Sequence, residues 1–106
     1  MRPRDRHVAL IQLPLPEADE GTAAANVPLA AGCLRAYAAA RGGPGPDRLR
    51  VLPRDLACHG GDVAILAWLA AGGFDAVGFT AHSWSVDRAL ALAARIRGRR
   101  PGIRVV

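Results

Sequence analysis

Short runs of consecutive apolar residues alternate along this chain with longer segments in which apolar residues recur at helical spacing. The first run, residues 8–13, has no regular alternation of polar and apolar positions, which is typical of a strand buried on both faces. Pro14 ends this run, because proline cannot donate to a strand ladder. Comparable runs predict further strands at residues 49–56, 74–80 and 103–106.

Three segments between these runs have the periodicity of helices that pack on one side. They begin after residues that commonly cap helices, Asn26, Asp62 and Ser85, and the first is expected to end near Ala40. The side chains expected to face the sheet are Val27, Ala30, Leu34 and Tyr37 on the first helix, Val63, Leu66 and Ala70 with Ile65 and Leu69 beside them on the second, and Val86, Leu90, Ala93 and Ile96 on the third. Gly32 costs about 1 kcal/mol inside a helix, and close approach of the helix to the sheet or to a ligand would explain it.

The resulting order β-α-β-α-β-α-β predicts an α/β fold with a parallel sheet and right-handed crossovers. We expect a flavodoxin-like, that is Rossmann-like, doubly wound sheet in one small domain over residues 1–106. Because open parallel sheets usually continue beyond four strands, we also expect this chain to be the N-terminal part of a longer domain, truncated after strand four.

Composition narrows the class of protein. Apolar residues make up 51% of the chain, which argues against global disorder. No run approaches the ~18 apolar residues of a membrane-spanning helix, and the N-terminus has no secretory cleavage site. We therefore expect a cytoplasmic protein with no membrane partner, in which Cys33 and Cys58 are reduced thiols.

The net charge of +5 comes with 14 basic side chains, all of them arginine. Most of these arginines are spread over the N-terminus, one loop and the last helix, without interleaved aromatic residues. A nucleic-acid binder usually concentrates its charge on one face, so this distribution favours a solvated surface over a nucleic-acid partner.

The richest chemistry follows the third strand, where the sequence reads AVGFTAHSWS over residues 76–85. Ligands of open α/β sheets bind outside the carboxyl ends of the strands. The candidate binding residues are those at these strand ends: Pro14, Leu15, Asp55, Thr80, Ala81, His82, Ser83 and Trp84. No G-x-G-x-x-G or P-loop motif is present, so a dinucleotide or nucleotide fingerprint is missing.

Four segments together resemble one protein family. They are VALIQLPLP at residues 8–16, NVPLAAGCLRAY at 26–37, VGFTAHSWS at 77–85 and PGIRVV at 101–106. In this respect the chain resembles the N-terminal cobalamin (vitamin B12)-binding domain of B12-dependent radical SAM enzymes. The resemblance covers nearly the whole chain, and the second and third segments are its more specific parts.

The resemblance implies that this chain binds cobalamin and that catalysis belongs to a partner, the C-terminal radical SAM domain of a methyltransferase-like parent enzyme. A radical SAM centre needs three thiolates in C-x3-C-x2-C, and this sequence has two cysteines. The 4Fe–4S cluster and S-adenosylmethionine would therefore be held by the part that is missing here. The chain itself lacks catalytic residues, so its own status as an enzyme is left open.

By the same resemblance, Trp84 would cover a corrin face, His82 would contact the corrin edge, and Thr80 and Ser83 would donate hydrogen bonds to amides or to the nucleotide tail. Each role has a structural alternative: packing of Trp84 on Ala89, an exposed loop histidine, and local turn capping. The Asp55 carboxylate could equally cap a turn.

The D-x-H-x-x-G motif of other cobalamin proteins is not matched. Ala57 stands where the cobalt-ligating histidine belongs, and His59 follows two residues late, so His59 is interpreted as a loop or helix-start residue. We therefore expect cobalamin without a histidine ligand.

The alternative function is a degenerate, non-enzymatic α/β interaction module without a cofactor. A phosphate-accepting receiver is disfavoured, because strands one and three end in Leu13 and Thr80 instead of the required acidic residues.

Overall fold

The computed structural model describes residues 6–14, 29–45 and 47–106, and the side chain of Leu29 is outside this description. Within these residues the protein is an α/β structure with a four-stranded, all-parallel sheet in the order β2-β1-β3-β4. The elements in chain order are β1 Val8–Ile11, α1 Leu29–Ala40, β2 Leu49–Val51, a π-helical turn Leu56–Gly60, α2 Gly61–Gly72, β3 Ala76–Phe79, α3 Val86–Arg99 and β4 Arg104–Val105.

The sheet confirms the predicted alternation of parallel strands and helices and is compatible with a Rossmann-like fold. β1 is central and pairs with β2 on one side and β3 on the other, with Val8 aligned to both Leu49 and Ala76. The chain leaves β1 toward β2 but leaves β3 toward β4. The strand order therefore reverses between β1 and β3, which makes this pair the topological switch point of the sheet.

The hydrophobic core lies on one face of the sheet. Ala9, Ile11 and Val77 contribute it from the strands, and α2 and α3 supply most of the rest. The cluster of buried residues is Ala9, Ile11, Leu13, Leu52, Ala57, Ile65, Leu66, Leu69, Phe74, Val77, Ala89, Leu92, Ile96 and Ile103. None of its members belongs to the described part of α1, so the two faces of the sheet are filled unequally.

The stripe predicted for α1 is wrong within the described residues. Leu34 and Tyr37 are 57% and 62% exposed, and Ala31 is the buried side chain. The sequence of α1, LAAGCLRAYAAA, is apolar around most of its circumference, so its periodicity does not define one face. Asn26 and Val27 lie outside the described residues.

The stripes predicted for α2 and α3 are right only in part. Ile65, Leu66 and Leu69 are buried on α2 as expected, but Val63 is 79% exposed. On α3 the buried side chains are Ala89, Leu92 and Ile96. Of the predicted stripe only Ile96 is buried, whereas Val86, Leu90 and Ala93 are not. α3 carries two overlapping apolar stripes that share Ile96, so spacing alone selects neither.

The second strand ends earlier than predicted. β2 stops at Val51, and the chain is helical from Arg54 into the π-helical turn, although the strand was expected to continue to Leu56. Pro53 has no N–H for a strand ladder but suits the start of a helix, which explains the early change. Asp62 lies in the first turn of α2, not at its cap, and pairs with Arg88 of α3 at 2.8 Å.

Two smaller expectations have clear outcomes. A Cβ atom at Gly32 would meet none of the described residues within 4 Å, so close approach to the sheet does not explain this glycine. Cys33 and Cys58 form no disulfide, as predicted.

None of the helices described is long and apolar enough to cross a membrane.

Candidate functional site

The carboxyl ends of β1 and β3 form the candidate site. Ile11 aligns with Phe79 in the register, and the Thr80 N–H donates to the Ile11 carbonyl at 3.0 Å. Pro14 and Asp55 follow the adjacent parallel strands β1 and β2 and lie toward the same edge. Leu15, predicted to belong here, is outside the described residues.

Residues 80–85, called the Trp84 loop below, form a compact turn held by Ser85. The Ser85 side chain is 2% exposed, and its Oγ accepts from the His82 N–H at 3.2 Å. The hydroxyl also lies 3.4 Å from the Thr80 carbonyl and 3.5 Å from that of His82, either of which can accept its proton. The Ser85 and Val86 N–H groups both donate to the His82 carbonyl, at 3.0 and 2.9 Å.

Ser85 thus does more than the sequence predicted. It occupies the N-cap position of α3 as expected, but its hydroxyl makes no capping bond to the helix and instead closes the Trp84 loop. A serine directly before a helix is such a common cap that its sequence position carries no separate signal for this role.

His82 and Trp84 stack on each other at the outer surface of the loop. Their ring centroids are 4.4 Å apart and the planes differ by 11°. Trp84 is 47% exposed, although indole is largely apolar. The pair forms a flat aromatic platform at the carboxyl edge, with room for a further contact on the exposed indole surface. Ser83, between them in sequence, is exposed as well.

Thr80 and Ala81 face different cavities. Thr80 lines a cavity of about 270 Å³ on the α1 face of the sheet. Ala81 lines a separate groove of about 530 Å³ between α3 and strands β3 and β4, together with Val86 and Leu90. The structure therefore divides two neighbouring candidate residues between two sites.

The 270 Å³ cavity extends along β1 and β3 beneath α1. Its wall is apolar and includes several small side chains; the lining residues are Val8, Leu10, Ile11, Ala31, Leu34, Ala76, Val77, Gly78, Phe79, Thr80 and Val106. Leu10 pairs with Gly78 in the register, and a Cβ atom at Gly78 would lie 3.2 Å from Leu10 Cδ2. The missing side chain at Gly78 and the small Ala31 on α1 leave this space open.

Thr80, one of the residues lining this cavity, carries a buried polar atom. Its Oγ1 is inaccessible to solvent and has no hydrogen-bond partner among residues 6–14, 29–45 and 47–106. A buried hydroxyl without a partner is destabilising, so such a group calls for an explanation such as an absent ligand or water.

Asp55 and the segment after it do not form a cobalt-ligating motif. Asp55 is exposed, directly precedes the π-helical turn with helical backbone angles, and makes no side-chain capping bond. Ala57 is 7% exposed and belongs to the core. His59 is exposed and lies in the π-helical turn directly before α2, which agrees with the predicted helix-start position.

No group of three or more potential metal ligands occurs among the residues that the structure describes. Comparison of the chain with protein-family models, curated proteins and solved structures finds no match. The sequence missed the 270 Å³ cavity, although Gly78 inside a strand was an available signal, because such glycines often mark close approach of another group.

Proposed function

We propose that this chain binds cobalamin at the carboxyl edge of its sheet, as the N-terminal module of a radical SAM methyltransferase-like enzyme. The strand order β2-β1-β3-β4 supports this proposal, because it matches the first four strands of the flavodoxin-like order 2-1-3-4-5. In that arrangement the ligand lies at the switch point, here between β1 and β3.

The observation that carries the proposal is the 270 Å³ apolar cavity lined in part by Thr80, a residue whose buried hydroxyl has no hydrogen-bond partner in the described part of the chain. The nucleotide tail of cobalamin combines a flat, apolar base with a polar sugar and phosphate. The small residues Ala31 and Gly78 leave space for the base, and Thr80 Oγ1 provides a hydrogen-bonding partner for the polar part. The residues therefore fit the tail in size and in chemistry.

The aromatic platform fits the corrin ring. Trp84 exposes 47% of its surface at the edge where the ring would lie, and His82 holds the indole by stacking. Covering the indole with an apolar ring face would remove both surfaces from water, which is favourable. Because residue 57 is an alanine, no imidazole from that position reaches the cobalt.

When bound, cobalamin would supply the cobalt centre for methyl transfer. The 4Fe–4S cluster and S-adenosylmethionine belong, in this proposal, to a C-terminal radical SAM domain. The role of the present chain would be to bury the nucleotide tail, hold the corrin over Trp84 and exclude water from its lower face.

The absorbance spectrum of the protein reconstituted with hydroxocobalamin and then desalted tests this proposal. We expect retained cobalamin with a base-off spectrum. Loss of the cofactor on desalting, or a base-on spectrum with the cofactor's own base bound to cobalt, would contradict the proposal. Loss of the cofactor would instead favour the alternative, an interaction module without a cofactor.

A pair of α1 variants tests whether the cavity holds the tail. Ala31→Met places a flexible apolar side chain into the cavity and should lower cobalamin retention. Ala36→Met makes the same replacement at an exposed position of the same helix and should leave retention unchanged. Circular dichroism of both variants verifies the fold, and equal retention by the two would place the tail elsewhere.

A further inference from the structure

The amino end of the sheet, opposite the candidate cobalamin site, contains a second hollow with a different character. It has a volume of about 240 Å³ and is lined by Arg6, Asp75, Ala76, Arg100, Gly102 and Arg104. Three of these six residues are arginines, and they come from three separate parts of the chain.

The backbone around this hollow is fixed by a set of hydrogen bonds centred on Asp75. The His7 N–H donates to Asp75 Oδ2 at 2.9 Å, and the Asp75 N–H donates to the His7 carbonyl at 2.7 Å. The Arg104 N–H donates to the Asp75 carbonyl at 3.2 Å, which positions the first residue of β4. One carboxylate oxygen of Asp75 is thus engaged with the backbone next to β1.

The three guanidinium groups at the hollow outnumber its single carboxylate, that of Asp75. Arg100 is anchored by a hydrogen bond from Nη1 to the Phe74 carbonyl, which leaves its other N–H groups available. None of Arg6, Arg100 and Arg104 makes an ion pair with a side chain in the described residues. Three like charges around one small hollow repel each other unless solvent or an anion screens them.

The helix dipole at the C-terminus of α3 accounts for some of the arginines near this hollow. It does not explain why arginines from three segments of the chain meet there. Arg97 and Arg99 lie in the last turn, where cations are favourable, and Arg100 follows directly. Arg6 and Arg104 belong to other segments and border the hollow because β1 and β4 both begin at this end of the sheet.

We infer that this hollow binds a multiply charged oxyanion of the phosphate class. Guanidinium groups present paired N–H donors that match the oxygens of phosphate, and three of them surround a space large enough for one or two phosphoryl groups. The inference is independent of cobalamin binding, since the two sites lie at opposite ends of the strands.

Titration of the protein with inorganic pyrophosphate at low ionic strength tests the inference, with isothermal calorimetry as the readout. Arg104→Gln should weaken binding about five-fold, the effect of one exposed ion pair at the upper end of its usual range. Asp75→Asn keeps an oxygen acceptor for the His7 N–H but removes the negative charge beside the anion, so it should strengthen binding.

Arg97→Gln is the matched control, because it changes the net charge as Arg104→Gln does but lies in the groove beside α3. We expect its pyrophosphate affinity to equal that of the unaltered protein. Equal weakening by Arg97→Gln and Arg104→Gln would show that pyrophosphate responds only to the net charge of the protein, which would overturn the inference. Absence of pyrophosphate binding to the unaltered protein would overturn it as well. Circular dichroism of each variant separates lost binding from lost fold.

Discussion

At the scale of single residues, the hydroxyl of Thr80 is the group whose environment most needs a ligand. It is shielded from solvent yet has no hydrogen-bond partner within the described part of the chain. Threonine and valine are nearly the same shape, so Thr80→Val removes the hydroxyl with little change in packing. This substitution therefore allows the contribution of the hydroxyl to folding to be measured separately from its contribution to ligand binding.

We expect Thr80→Val to raise the free energy of unfolding without cobalamin by about 1 kcal/mol, because an unsatisfied buried hydroxyl is lost. The same variant should bind cobalamin more weakly, because the tail loses a polar partner. Urea denaturation and cobalamin titration measure the two effects. A variant that is both less stable and unchanged in affinity would show that the hydroxyl serves the fold, for example through a water-mediated hydrogen bond.

The two tryptophans give a second comparison at this scale. Trp68 packs against the core, lies 5.0 Å from Phe74 between ring centroids and has the Arg50 guanidinium over its ring at 5.3 Å. Trp84 makes its ring contact with His82 at the surface. The sequence predicts that Trp68 is either a core residue or a contact to a partner domain, and the structure packs it, partly buried, against the core. The binding role of Trp84 stays a prediction.

We expect Trp68→Ala to lower the free energy of unfolding by about 3 kcal/mol, since it removes a large side chain from the core. Trp84→Ala should cost less stability but weaken cobalamin binding more than Trp68→Ala does. Thermal unfolding and cobalamin titration of both variants provide the comparison. Intact cobalamin affinity in Trp84→Ala would make this residue a purely structural part of the loop.

At the scale of elements, two glycines in helices differ in how tightly their surroundings are packed. Gly72 ends α2 under the ring of Phe74, a side chain that is 0% exposed. A Cβ atom at Gly72 would overlap Cε2 of that ring and lie 2.7 Å from Cζ. Gly32 lies in α1, where a Cβ atom would meet none of the described residues within 4 Å.

We therefore expect opposite effects from the same replacement. Gly72→Ala should destabilise the protein by about 1–3 kcal/mol, because Phe74 has no space into which to move. Gly32→Ala should stabilise it by up to about 1 kcal/mol through helix propensity. Chemical denaturation of both variants tests this pair, and destabilisation by Gly32→Ala would restore the idea of a close approach at that residue.

The elements also show what could be predicted from sequence. Strand and helix order followed from the apolar runs, because a strand buried on both faces leaves a distinctive pattern. Helix orientation did not follow, because α1 and α3 are apolar on more than one side. At the candidate site, the Trp84 loop was located from its position after β3. The stacking of His82 on Trp84 and the burial of Ser85 depend on the turn geometry, which no residue spacing encodes.

At the scale of the whole molecule, β4 is an edge strand of the sheet that the described residues form. Unpaired strand edges expose backbone donors and acceptors to other chains. Beside β4 lies the 530 Å³ groove, and its lining residues Val86 and Leu90 are 38% and 65% exposed. Leu90 therefore presents apolar surface next to an edge that can pair with a second copy of the chain.

We expect sedimentation velocity to show association that increases with protein concentration. Leu90→Arg should reduce it by adding charge to the groove, whereas Val63→Arg, at a 79% exposed position on α2, should not. A monomer at all concentrations, or equal effects of the two variants, would contradict association through this groove.

The unequal filling of the two sheet faces has a consequence for where the molecule opens. α1 rests on its face through Ala31 and leaves a cavity, whereas α2 and α3 are anchored by a continuous core. Regions with few buried apolar contacts open at a low free energy, so amide exchange in α1 should need only local opening, while exchange in α2 and α3 requires global unfolding. A ligand that filled the cavity would supply buried apolar contacts to α1. Ligand binding and the stabilisation of this helix would then be one cooperative event.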